Sequence, residues 1–190
     1  LLSRRQRQMC IRDSIEPLRY DRLDNTRNNR YHKMHPHELF SDYEESLFID
    51  ANIQLRGNCL FAAADAMHGR DVFLAIPPHR RCRCLYDELE ECVRSHKDNA
   101  EVLEKHRIFL EEEGYPRQMG LTENNVIYRK HKDPRCIKVM EDWWYMVENY
   151  SRRDQLSLFY VLWKNGEQMT YLLDFPIKSD KANFRLFHHN

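Results

Sequence analysis

Short apolar runs of strand length alternate with stretches whose apolar residues recur every three or four positions, and this alternation restricts the chain to a layered α/β fold. The strand-like runs are Ser46–Ile49, Val72–Ile76, Val126–Arg129 and a closing segment, Met169–Phe175. Between them lie helical segments at Leu60–Met67, Tyr86–Arg94 and Ala100–Glu113, the last carrying Val102, Leu103, His106, Phe109 and Leu110 on one stripe. A final helical pair follows: Cys136, Val139, Met140, Trp143, Trp144 and Val147 mark the first, and Leu156, Phe159, Tyr160 and Trp163 the second. Adjacent tryptophans diverge by about 100° on a helix, so one of Trp143 and Trp144 is expected in the core and the other free to stack on a ligand. Pro36 interrupts an earlier helical pattern over residues 28–40, and Pro77-Pro78 ends the second strand.

At 190 residues the chain forms one domain with a core of its own. Net charge is zero and mean hydropathy is −0.81, so no global basic field draws nucleic acid to it. No apolar run approaches the roughly 20 residues a membrane helix needs, and a soluble cytoplasmic protein is expected. The cysteines, Cys10, Cys59, Cys82, Cys84, Cys92 and Cys136, read as free thiols. Residues 1–14 resemble translated sequencing-adapter read-through and are set aside as a non-native leader, a basic nucleic-acid arm being the alternative.

The chemistry is expected where the first strand runs into Asp50-Ala51-Asn52. A carboxylate and an amide oxygen at a strand end can face one hard divalent cation and share it with phosphate. Asp and Asn are also ordinary turn residues, and the triplet alone does not separate the two. His32, His35 and His37 do not share one helical face and read as packing residues. His79, Cys82 and Cys84 have the residue types of a zinc site, but no second cysteine pair closes it. Ser151 is placed to cap the last helix, with Asp154 in the position of a capping-box acid.

Phe48–Asn58 resembles the Asp-x-Asp segment of GT-A glycosyltransferases, above all the family-eight type. Glu112–Pro116, Gly120–Asn125, Trp143-Trp144 and Ser151–Ser157 resemble the motif series of a glycosyltransferase-like family long catalogued as a domain of unknown function, with bacterial and plant members. The resemblance implies a GT-A-like, Rossmann-derived mixed sheet flanked by helices, over residues 15–190 and without its first βαβ unit. It implies a hexosyltransferase that moves a hexose from a nucleotide diphosphate sugar to a hydroxyl acceptor such as a glycan, truncated here and inactive as it stands. On the same basis Asp50 and Asn52 would hold Mn²⁺ or Mg²⁺, more weakly than two aspartates, with His188 or His189 as a further ligand. Arg30 and Lys33 would neutralise the diphosphate, and His79, Arg81, Tyr86, Glu88 and Trp144 would line the sugar pocket. Glu123, Asn124, Asn125, Asp154 and Gln155 would position donor and acceptor. A non-catalytic carbohydrate-binding or scaffold module of the same fold is the alternative, and an RNA-binding domain is disfavoured by the neutral net charge.

Overall fold

The computed structural model describes residues 23–82 and 84–187. The expected leader at 1–14 and the His188/His189 ligands lie outside the described residues.

Helix α1 (Asn25–Met34) starts where the Asp24 carboxylate accepts from the Arg27 amide at 3.0 Å, satisfying one of the donors a helix start leaves open. It ends before Pro36, which opens the short α2 (Pro36–Leu39). Strand β1 (Ser46–Ile49) follows, then β2 (Ile53–Leu55), α3 (Cys59–His68) and β3 (Leu74–Ile76). Helices α4 (Leu85–Arg94) and α5 (Ala100–Glu112) precede β4 (Val126–Arg129); α6 (Pro134–Asn149) and α7 (Leu158–Lys164) lead to β5 (Thr170–Tyr171) and β6 (Phe184–Leu186).

The main sheet has the order β1-β4-β3-β5. Strand β4 is antiparallel to both β1 and β3, whereas β3 and β5 run parallel. The fold is therefore a mixed α/β layer structure. Every residue of β3 and β4 is buried, as expected for central strands covered on both faces. Alternate side chains divide between two cores: Leu74, Ile76 and Ile127 join one with α1, α4, α5, α6 and α7, while Ala75, Val126 and Tyr128 join the other with Leu60 and Met67 of α3. A separate ribbon pairs β2 with β6. The closing strand is shorter than Met169–Phe175, because Leu172 and Leu173 turn into the second core.

Two expectations are corrected by packing. Trp143 and Trp144 are both buried, because α6 is covered on two sides: the Trp143 indole donates to Asp154 O at 2.9 Å, and Trp144 packs edge-on against Tyr31 and His35. Ser151 does not close a capping box with Asp154; its hydroxyl donates to Asp98 at 2.7 Å, and α7 begins at Leu158 after a 3₁₀ turn, Asp154–Leu156. Arg129 is buried as well, its guanidinium donating to Lys33 O and to Ser46 Oγ, and burial lowers its pKa to about 10.

His106 of α5 is fully buried beside the Tyr150 ring, and burial lowers its pKa from 6.5 to about 4. Above pH 6.5 neither folded nor unfolded chain protonates this imidazole; as pH falls toward about 4, the unfolded chain gains a proton that the buried ring refuses. This ring should therefore remove up to roughly 3 kcal/mol of stability across that window. Urea unfolding of wild type and His106→Leu should show a smaller acid-induced loss in the variant; parallel pH profiles would exclude the buried imidazole as the cause.

Candidate functional site

The β1–β4 ladder builds the site. Its last pair is Ile49 with Val126, and one step further the Asp50 amide donates to Asn125 O at 2.8 Å. The turn after β1 is thereby locked to the loop before β4, so Asp50 and Asn52 meet Glu123, Asn124 and Asn125. Helix α1 contributes Arg30 and Lys33, and the 3₁₀ turn after α6 contributes Arg153, Asp154 and Gln155. Together with Lys178 and Leu186 they line a cavity of about 310 Å³.

Its back wall is a buried ion pair. Lys33 Nζ lies 2.6 Å from Asp154 Oδ2 and also donates to Asn124 O, while Arg30 Nε stands 3.4 Å from the same carboxylate oxygen. Burial alone would raise the Asp154 carboxyl, but Lys33 and Arg30 hold it below its ordinary value; burial lowers the Lys33 ammonium, with Asp154 and Asp50 opposing. The two basic residues expected to neutralise a diphosphate are thus already facing an acid of their own. Gln155 is anchored too, its amide nitrogen donating to Thr122 O at 3.1 Å and its oxygen accepting from Arg153 at 3.2 Å.

Glu123 is different. It is 2% exposed, neither carboxylate oxygen has a well-formed hydrogen bond, and Lys178 Nζ stands 4.0 Å away. Burial raises its pKa, tempered by Lys178, nearby amides and Arg80. Asn124 Nδ2, Asn125 Oδ1 and Arg153 Nε are also buried without partners. Buried polar groups are almost always paired, so these donors and acceptors are placed to meet water or a ligand in the cavity. Asn52 Nδ2 donates to Phe187 O at 3.2 Å, leaving its oxygen for another partner.

Other expected residues lie elsewhere. His79 lines a separate cavity of about 920 Å³ with Cys82, Gly120 and Tyr171. Its Nδ1 accepts from the amides of Cys82 at 2.9 Å and Arg81 at 3.3 Å, while Arg81 is exposed. The Tyr86 hydroxyl donates to Tyr115 O at 2.8 Å, and Glu88 is buried 3.3 Å from Lys97 Nζ and 3.7 Å from Cys92 Sγ. His79, Cys82 and Glu88 place ligand-type atoms within 4.8 Å of one another, but Lys97 already neutralises the carboxylate. Cys84 points away, its sulfur accepting from the Gln118 amide at 3.4 Å. Cys59, Cys82, Cys84, Cys92 and Cys136 are free thiols. Lys178 and Leu186, absent from the sequence expectations, arrive from the segment after Pro176 and from β6, where no motif marks them.

The family model for the TOD1/MUCI70 glycosyltransferase-like domain matches residues 14–189. The chain belongs to this family. No curated protein and no solved structure matches the chain. The TOD1/MUCI70 assignment makes the chain a glycosyltransferase-like protein, for which sugar donors and acceptors are the general class of partner. No helix among the described residues is long and apolar enough to cross a membrane.

Removing one member of a buried pair strands the other charge, at a cost of about 3–5 kcal/mol. Lys33→Met should destabilise the fold by this amount, and Lys33→Met with Asp154→Leu should recover most of it in denaturant unfolding. A single-variant loss below about 1 kcal/mol would show that Arg30 and solvent compensate for the missing ammonium.

Proposed function

We propose that this domain transfers a hexose from a nucleoside diphosphate sugar to a hydroxyl acceptor. The observation that carries the proposal is the set of buried, unpartnered polar atoms of Glu123, Asn124 and Asn125 in the cavity that also holds Asp50. Carboxylate and amide groups together match the alternating donors and acceptors of a sugar ring. The cavity lining carries four cationic and three acidic side chains, a near balance that suits a neutral polyol. The GT-A relationship belongs to this proposal; the mixed sheet, with Asp50 at a strand end, is compatible with it.

A divalent cation fits the residues present. The Asp50 carboxylate and the side-chain oxygen of Asn52 are two hard oxygen donors in one cavity, and Mg²⁺ or Mn²⁺ held by so few protein ligands is completed by water and substrate phosphate. Such an ion would supply charge stabilisation to a diphosphate leaving group. Glu123 receives the proton of the attacking hydroxyl, its raised pKa suiting it to that role. Asp154 and Gln155 act as positioning residues: the first holds Lys33 against Asn124 O, and the second fixes the loop through Thr122 O.

Titration with uridine and guanosine diphosphate sugars, with and without Mn²⁺, tests this reading. Binding should strengthen with Mn²⁺, and Asp50→Ala should abolish that enhancement, at least about ten-fold. Sugar binding indifferent to Mn²⁺ and to Asp50→Ala would replace transfer with a carbohydrate-binding role. Where turnover is observed, its acid limb should lie above 4.5, the ordinary carboxyl value, and vanish in Glu123→Gln.

A further inference from the structure

Beside the candidate site runs a second concavity of about 670 Å³, which shares Asn52, Lys178 and Leu186 with it. Its charge is one-sided: Arg56, Arg80, Lys181, Arg185 and Lys178, the last also 4.0 Å from Glu123, line it, and no acidic side chain does among the described residues. In a chain of zero net charge this is a local concentration of cations. All five are exposed, so none is held in place by burial of its head group. Asp180 does not line the trough: its carboxylate is turned into its own loop, accepting from the amides of Ala182 and Asn183 and from the Asn183 side chain at 2.7 Å. The wall is nevertheless ordered: Arg56 N donates to Asn183 O at 2.8 Å, and the Arg185 guanidinium lies 4.8 Å from the Phe187 ring.

We propose that this trough binds a diphosphate group, which in the transferase reading above is that of the donor. Arg30 and Lys33 face the Asp154 carboxylate and are poorly placed to neutralise further negative charge. The trough supplies that charge from residues the motif series does not include. Guanidinium forks match phosphate oxygens in pairs, and lysines add mobile point charges. A ligand crossing from a charge-balanced cavity into a cationic trough at Asn52 has a neutral polyol joined to a strong anion, the build of a nucleoside diphosphate sugar.

Calorimetric titration of inorganic diphosphate in chelator-treated, metal-free buffer is the test. Wild type should bind; Arg80→Ala and Lys181→Ala should each weaken binding about ten-fold, and added salt should weaken it further. Lys132→Ala removes an exposed cation paired with Glu44 and should change nothing. Circular dichroism confirms that the variants fold. No binding by wild type, or equal affinity in all variants, overturns the trough assignment while leaving the Mn²⁺ and Asp50→Ala experiment to decide the transferase reading. Diphosphate binding lost in the trough variants, without any response to nucleotide sugar or Mn²⁺, supports the anion site and overturns the transferase reading. A long polyanion such as heparin binding more than about 100-fold tighter than diphosphate would overturn the assignment in favour of an extended polyanion surface.

Discussion

The buried pair of Lys33 and Asp154 is the constraint on which the site depends. Desolvating an ammonium and a carboxylate costs several kcal/mol each, and their attraction offsets that only with good geometry and further hydrogen bonds. The chain provides both: Lys33 also meets Asn124 O, and Arg30 Nε stands 3.4 Å from the same Asp154 carboxylate oxygen. Three elements distant in sequence are fastened at one point. Helix α1, the loop before β4 and the 3₁₀ turn after α6 have no shared hydrogen-bond ladder. A rigid cavity wall built from them requires an interaction of this kind.

Charge is distributed unevenly over the two neighbouring concavities. The inner one places acids opposite its cations; in the outer one every charged side chain among the described residues is cationic. On the transferase reading proposed above, specificity would come from the inner cavity, where amide and carboxylate atoms are left without hydrogen-bond partners. On the same reading the outer trough, whose cations are exposed, would contribute attraction over a longer range and little discrimination.

Much of the layer structure was legible in sequence, because it depends on apolar period. Strand β4 begins and ends where its continuous apolar run does, and α4 and α5 follow their stripes to within a residue or so. The convergence of Arg30, Lys33, Asp50, Glu123, Asp154 and Gln155 on one cavity was expected from the motif series rather than from periodicity. Periodicity failed where burial came from two directions. Trp144 is covered because α1 packs on the second side of α6, information that a single helix does not contain. The partners of a buried charge were equally hidden: nothing local to Asp154 announces a lysine 121 residues away. Tyr86 and Glu88 carry the residue types of a sugar site, yet their helix turns them into a hydrogen-bonded interior.

The step from the Ile49–Val126 pair to the contact between the Asp50 amide and Asn125 O has a consequence for how such a chain can vary. Side chains alternate across a strand, so a shift of one position exchanges its two faces. One residue gained within 46–50 or within 125–129 would rotate Asp50 away from Glu123 while leaving the composition of the site unchanged. Length changes before Ser46 or after Arg129 fall outside the counted interval and can be taken up by loops. Among relatives, insertions should therefore collect outside these two windows, and a sequence with every site residue present but one residue added inside either should be read as having lost the site.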